Sequence, residues 1–561
     1  MTETLNIALA QLNPTVGDMD GNVAQIIRAR TEAAGLGADL MVTAELSITG
    51  YPPEDLVLKP AFLDVVEVSV EDLAKQTDDG GPALIIGAPW RDGGHLYNAA
   101  LLLEGGEIAA IRHKHILPNY GVFDEKRVFS AAELPTPIPF KGLALGVMIC
   151  EDMWLPAVAK ILADQGADLL LVLNGSPYEM DKKHVRLDYA SARVHETGLG
   201  LIYVNQVGGQ DELVFDGDSF IIAGEGTLSL RLPSWQTSIV ASTWRTDGSR
   251  WACDPVPADS PPGGTEAIYR AVCLGLRDYV NKNHFPGVLI GLSGGIDSAL
   301  SAAVAVDALG AERVHCVMMP SPYTSQESLD DAAEVARLLG CRLDTISIGP
   351  AMDAFDGMLK ESFDAHAADT TEENIQARSR GLTLMALSNK FNFMVLSTGN
   401  KSEMSVGYAT LYGDMCGGYS VLKDIYKTTV FDLCRWRNDH VPMAALGPQG
   451  TVMPDRVITK PPSAELKLDQ KDEDSLPPYD KLDEILHGLI EGDQSLRDIA
   501  ARGHDMAVVE RVWQMLDRAE YKRRQAPPGV KISSRAFGRD RRYPITNGFT
   551  GLALNRNGTP P

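Results

Sequence analysis

The sequence predicts an α/β protein organised as two domains. Three features carry that expectation. Short apolar runs alternate with segments of helical periodicity through most of the chain. A stretch rich in proline and glycine, "DPVPADSPPGG" at 254–264, interrupts the alternation as a linker would. A second α/β pattern then starts, and 561 residues are enough chain for two domains with large cores.

The elements follow in order. "LNIALAQL", "DLMVTAEL", "ALIIGAPW", "LALGVMIC", "ADLLLVLN" and "GLIYVNQVGG" read as buried strands, and "GNVAQIIRARTEAAGLG" as an amphipathic helix between two of them. The pattern predicts a sandwich or layered sheet. The domains are set at 1–255 and 265–561, with a linker at 256–264. After the linker, "TEAIYRAVCLGLRDYVNKN" reads as a helix with Thr265 as a candidate cap. "GVLIGLS", "VHCVMMP", "DTISIG" and "MVLSTGN" read as further strands. The polar, proline-bounded stretch 459–480 reads as a solvated loop, with a mobile lid as the sharper alternative.

Composition narrows the classes. The chain is 44% hydrophobic and 22% charged, as soluble globular chains are, and its formal charge is −24. Such a surface repels nucleic acid and anionic membranes, so neither is expected as a partner. The 7 cysteines include no C-x-x-C pair, which disfavours a zinc site or a secreted disulfide framework and suits a reducing cytoplasm. No signal peptide and no run long enough to span a membrane is read.

"GVLIGLSGGIDSAL" (287–300) is a strand, a glycine loop and a helix start. It lacks the lysine of a Walker loop. It still has the parts of an anion nest: Gly294 and Gly295 for close backbone approach, Ser293 and Ser298 as hydroxyl donors, and a helix N-terminus. Asp297 fits only if a magnesium ion lies between it and a phosphate. Two later stretches sit where such a sheet would hold a ligand. "VLSTGNKSEMSVGYATLYGD" places Thr398, Gly399 and Glu403 just after a strand. "TEENIQARSR" offers Asn374 and Arg378. "YKRRQAPPGVKISSRAFGRDRRYP" is a basic island in an acidic chain, with Lys522 inside it.

The first half carries a different chemistry. Glu45 follows one strand, Lys114 lies in K-x-x-L-P, and Cys150 ends another strand. Together they make an amidase: the thiol attacks, Glu45 takes its proton, and Lys114 stabilises the oxyanion.

S-G-G-x-D-S after a strand resembles the pyrophosphate loop of the N-type ATP pyrophosphatases. The Glu, Lys and Cys motifs resemble the nitrilase, or carbon–nitrogen hydrolase, superfamily. Those resemblances imply an α-β-β-α sandwich in the first domain and a Rossmann-like parallel sheet in the second. They imply that Glu125 orients Lys114 or assists proton transfer, and that Tyr120, Ser176 and Lys182 hold glutamine. The order of the two modules resembles the glutamine-dependent NAD synthetase family. That implies amidation of deamido-NAD through an adenylate, with ammonia from glutamine, and release of AMP, pyrophosphate and glutamate. By matched motif positions, Gly291, Leu292, Ser293, Gly294, Gly295, Ile296, Asp297, Ser298 and Thr398 would bind ATP. Asn374, Glu403 and Lys522 would bind deamido-NAD, and Asp297 and Glu403 would hold Mg2+. A tunnel for ammonia and a homo-oligomer with a dimeric synthetase core, possibly an octamer, are also implied. An amide-forming enzyme with another acid substrate is the main rival. A transfer-RNA-modifying enzyme uses the same loop, but the charge and the lack of paired cysteines oppose it.

Overall fold

The computed structural model describes residues 3–549 except 181, 247, 249, 257–259, 365 and 468–469. The chain forms two compact units, Met1–Pro262 and Gly263–Pro561.

The first unit contains two large sheets. One has seven strands in the spatial order Trp251–Cys253, Ser238–Thr246, Glu3–Gln11, Leu40–Val42, Ala83–Asp92, His95–Glu104, Glu107–His113. The other has six: Leu228–Arg231, Phe220–Ile222, Gly200–Asn205, Leu169–Asn174, Leu143–Ile149, Ile138–Phe140. Period-2 alternation assigns each side chain to a layer. Leu5, Ile7 and Leu9 face Leu169, Leu171 and Leu173 in the core between the sheets. Ala8 and Ala10 turn the other way, onto Ile26, Ala29, Val66 and Val70 of the helices Met19–Gly35 and Pro60–Lys75. Leu170 and Val172 likewise pack on Val158, Leu162 and Val194 of Pro156–Asp164 and Lys182–Thr197. Both faces of these strands are buried, which is why they read as continuous apolar runs. The result is the expected α-β-β-α sandwich. Its first strand takes its antiparallel partner from far along the chain, with Glu3 opposite Thr246.

The second unit is built on a parallel five-stranded sheet, ordered Arg342–Thr345, Val314–Met318, Val288–Gly291, Met394–Ser397, Tyr419–Ser420. The chain starts in the middle strand, runs to one edge, then returns to the other side. The topological switch point therefore lies between Val288–Gly291 and Met394–Ser397, where such sheets bind ligands. The alanine-rich helix Ile296–Leu309 is buried almost throughout and packs on the sheet and on helices Gly264–Lys282 and Lys427–Asp439. A separate apolar cluster joins Leu482, Ile485, Val509, Val512 and Leu516 of the late helices to Val406.

Three local expectations are corrected. Thr265 is not a cap; the helix begins at Gly264, with Gly263 as an N-cap that has no side chain to bond. The strand read over "DTISIG" is Arg342–Thr345; Ile346 and Ile348 still donate to Met318 O and Pro320 O, but off the ladder. "GLIYVNQVGG" divides at Gln206, and Val207–Gln210 pairs instead with Leu213–Asp216 in a hairpin. Among the described residues no helix is long and apolar enough to cross a membrane.

Candidate functional site

Both units place predicted site residues just after strands. In the first, Glu45 follows Leu40–Val42 and Lys114 follows Glu107–His113, both on the seven-stranded sheet. Cys150 follows Leu143–Ile149 on the six-stranded sheet and opens the short helix Cys150–Met153. Its φ is +46°, a left-handed conformation that strains a residue with a Cβ and recurs at functional turns.

Lys114 is fully buried and donates to Glu45 Oε1 at 2.7 Å and to the Glu125 carboxylate at 2.9 Å. Burial alone would lower its pKa, but Glu125 and Glu45 reverse that, so the ammonium stays charged. Burial pushes the Glu125 carboxyl up, and the Glu45 charge adds to this against the pull of Lys114. Tyr51 donates to Glu125 at 3.1 Å. Burial and the Glu45 charge also push the Cys150 thiol up, against Lys114. The resting thiol therefore keeps its proton and needs a base. The Oε2 of Glu45 is buried and has no hydrogen-bond partner among the described residues.

A carboxylate absent from the sequence expectations joins the two sheets here. Asp152 accepts from the N–H groups of His115 at 3.2 Å and Ile116 at 2.7 Å, and from that of Ile149 at 3.1 Å. It thus ties the backbone beside Lys114 to the backbone beside Cys150. Burial raises its carboxyl to about 6, against those N–H groups.

The three residues expected to hold glutamine separate into two settings. Tyr120 donates to the Glu151 carboxylate at 3.0 Å. Lys182 Nζ lies 5.6 Å from the Phe123 ring centroid and 5.4 Å from that of Trp154, and Tyr120 packs edge-on against Phe123. Ser176 is buried, and its Oγ accepts from Arg186 Nε at 3.2 Å.

In the second unit the glycine loop leaves Val288–Gly291 and enters Ile296–Leu309. Gly294 has φ +84°, and a Cβ there would lie 2.2 Å from the Ser328 carbonyl oxygen. Leu292 N–H donates to Val317 O at 3.0 Å, fixing the loop to the next strand. Gly295 N–H donates to Ser293 Oγ at 3.2 Å, and Ser298 Oγ to Gly295 O at 2.9 Å. Across the switch point, Thr398 follows Met394–Ser397, and Asn400 caps the helix Lys401–Val406 by accepting from Glu403 N–H at 3.0 Å.

Asp297 and Glu403 come together, but around an ammonium. Lys427 donates to both carboxylates, to Glu403 at 3.2 Å, and Asn400 Nδ2 donates to Asp297 Oδ1 at 2.8 Å. Burial pushes Glu403 up to about 8, with Asp297 and Asp472 adding and Lys427 opposing. Among the described residues no group of three or more His, Cys, Asp or Glu side chains is arranged to hold a metal alone. Two carboxylates beside a phosphate-type loop do suit Mg2+, which takes one or two protein oxygens and the rest from phosphates and water. The acidic surplus around one lysine fits a cation that arrives with an anionic substrate.

Of the three residues expected at deamido-NAD, Lys522 and Asn374 meet the segment 407–414, whereas the Glu403 carboxylate is turned to Lys427. Lys522 Nζ donates to Gly407 O at 2.7 Å and Ala409 O at 2.6 Å. Asn374 Oδ1 accepts from Thr410 Oγ1 at 3.0 Å, and Arg378 Nε donates to Leu411 O at 3.2 Å. Within 459–480, Glu465 accepts from Ser325 Oγ at 2.9 Å and Ser328 Oγ at 2.7 Å, next to the glycine loop.

Asp152, Lys427 and Asp472 carry no motif that singles them out, and neither does Asn98, whose Nδ2 donates to Glu45 Oε1 at 2.7 Å. Asn400 does: Asn, then Glu three residues later, is a helix-start signature.

The fold and site define a nitrilase-type amidohydrolase unit and a nucleotide-dependent synthase unit on one chain. The carbon–nitrogen hydrolase family model matches residues 6–247, and the NAD synthase family model matches residues 268–526. The chain is 50% identical over 548 residues to a glutamine-dependent NAD(+) synthetase of Rhodobacter capsulatus, covering 98% of this chain and 99% of that one. It is 46% identical to one of Acinetobacter baylyi, again covering 98% and 99%. The solved glutamine-dependent NAD+ synthetase of Acinetobacter baumannii, in complex with ADP, aligns over 98% of this chain and 99% of that chain with a TM-score of 0.77 and 44% identity. The chain belongs to the glutamine-dependent NAD(+) synthetase family.

Proposed function

We propose that the chain converts deamido-NAD, ATP and glutamine to NAD, AMP, pyrophosphate and glutamate, with ammonia made at Cys150 and used beside the glycine loop. The observation that carries this reading is the pairing of a buried Glu–Lys–Cys site with a phosphate-type loop at a sheet switch point.

In the glutaminase half, Glu45 Oε2 takes the thiol proton as Cys150 attacks the amide carbon of glutamine. The Lys114 ammonium balances the oxyanion, with backbone N–H near Cys150. The proton then passes from Glu45 to the leaving nitrogen, the tetrahedral adduct collapses, and ammonia departs, leaving a thioester on Cys150. Glu45 next deprotonates water, which releases glutamate and restores the thiol. Tyr120, Ser176 and Lys182 are assigned to glutamine.

In the synthetase half, Gly291 to Ser298 and Thr398 hold ATP, and the nicotinate carboxylate attacks its α-phosphate. Pyrophosphate leaves, ammonia attacks the acyl carbon, and AMP departs. Asn374, Glu403 and Lys522 are assigned to deamido-NAD. Asp297 and Glu403 would hold Mg2+, whose charge, when bound, neutralises the departing phosphates. A homo-oligomer with a synthetase dimer at its core is part of the reading. The helix Gly349–Phe363 packs Met352 on the sheet core but leaves Met358 exposed, which suits such a contact.

The test is NAD formation by wild type and Cys150→Ala, each with glutamine or ammonium. Wild type is expected to use both, and Cys150→Ala only ammonium. Equal loss of both activities would refute two separate sites, provided the variant is folded.

A further inference from the structure

We propose that Asn98 is a positioning residue of the glutaminase, pinning one oxygen of Glu45 so that the other receives the Cys150 proton. The proposal rests on the reading of Glu45 as the base.

Asn98 lies in the strand His95–Glu104, opposite Pro89, and is fully buried. Its Nδ2 donates to Glu45 Oε1 at 2.7 Å. Its backbone carbonyl accepts the N–H of Lys114 at 2.8 Å. One strand residue therefore sets both the side chain of the base and the backbone of the lysine.

The division of the Glu45 oxygens follows. Oε1 accepts from both Asn98 Nδ2 and Lys114 Nζ, each at 2.7 Å, while Oε2 accepts from no group among the described residues. Oε2 points toward Gly175, where an added Cβ would lie 3.1 Å from it. Gly175 follows Leu169–Asn174, the strand paired in parallel with the one that ends at Cys150. The empty oxygen thus faces the sheet that carries the nucleophile. Lys114 alone would not enforce this choice. A glutamate's terminal torsion is broad and two-fold, so either oxygen can meet one ammonium. That ammonium is also shared with Glu125 at 2.9 Å. Two donors from separate positions, converging on one oxygen, select one rotamer.

Asn98 also leaves an acceptor empty. Its Oδ1 is buried and meets no donor among the described residues. Turning the amide over would place that oxygen 2.7 Å from Glu45 Oε1, acceptor against acceptor.

The test compares Asn98→Leu with wild type in glutamine hydrolysis across pH, together with Cys150 alkylation by iodoacetamide followed by mass spectrometry. The expected result is a fall in kcat of roughly ten- to hundredfold, the worth of one hydrogen bond to a charged group, with little change in KM. The acidic limb of kcat/KM and of alkylation moves to higher pH, because a carboxylate that loses a donor favours its protonated form. Lost activity with unmoved limbs would reduce Asn98 to packing. Should Asn98→Leu not fold, Asn98→Ser removes the same Nδ2 and is read identically. Glu45→Gln separates the two layers. If it still hydrolyses glutamine, the base assignment falls and takes this proposal with it. If it is inactive while Asn98→Leu keeps wild-type rates and limbs, Glu45 stands and the role of Asn98 is overturned.

Discussion

Asp297 and Glu403 share one ammonium: Lys427 Nζ donates to both, with Glu403 at 3.2 Å. Asp297 opens the helix after the glycine loop, and Glu403 lies on the short helix after the neighbouring strand. The two sides of the switch point are therefore joined through a charge supplied by a third helix, Lys427–Asp439.

Removing that charge leaves two carboxylates beside the glycine loop without their ammonium. Lys427→Met is expected to lower NAD formation about a hundredfold or more with either nitrogen donor, the scale of one lost electrostatic contact in an active site. Glutamate release from glutamine is the control. Equal activity of Lys427→Met and wild type in the ammonium-supported assay would remove this lysine from the site.

The same cluster sets a pH dependence. The Glu403 carboxyl is held at about 8 in the folded chain by burial and by neighbouring carboxylates. Unfolded, it titrates near the ordinary glutamate value of about 4.3. Between those values the folded state binds more protons, so this group's contribution to stability falls as pH rises. Thermal unfolding without nucleotide at pH 5 and pH 8 is the measurement. Glu403→Gln is expected to gain stability relative to wild type at pH 8, compared with pH 5.

Asp152 accepts three backbone N–H groups, so an amide in its place must turn a donor against a donor. Asp152→Asn is expected to destabilise the first unit by about 1–3 kcal/mol, the cost of leaving a buried group unpaired. Glutamine-supported activity falls with it, since the Cys150 and Lys114 backbones lose their tie. Chemical denaturation and glutaminase rates check this, and a variant with unchanged midpoint and rate would contradict it.

Gly294 has no room for a side chain. Gly294→Ala sets a Cβ against the Ser328 carbonyl in a left-handed backbone, a strain on the order of 1–3 kcal/mol. The KM for ATP is expected to rise while glutamine hydrolysis persists. Unchanged ATP kinetics would show that the loop shifts without cost.

Much of this was legible because buried strands write themselves as apolar runs and a glycine loop after a strand has few other uses. Glu45, Lys114 and Cys150 were reachable as residue types at strand ends. Asn98 and Lys427 were not. A buried asparagine in "HLYNAALLL" and a lysine in "IYKTTV" look ordinary until pairing and packing place them against a carboxylate. The hairpin Val207–Gln210 with Leu213–Asp216 was hidden for a similar reason, since Gln206 breaks the run without glycine or proline. The Mg2+ expectation at Asp297 and Glu403 took no account of Lys427, which only the tertiary fold delivers.

The first strand of the chain, Glu3–Gln11, waits for Ser238–Thr246 to cover one of its edges. Glu45 and Cys150 belong to different sheets, so neither is useful until both sheets have packed face to face. A growing or clipped chain that already contains Cys150 but ends before Thr246 leaves the sheet of Glu45 with a bare edge. Closure of the sheet behind Glu45 is thereby tied to the last strands of the unit, although Cys150 comes some ninety residues earlier in the chain.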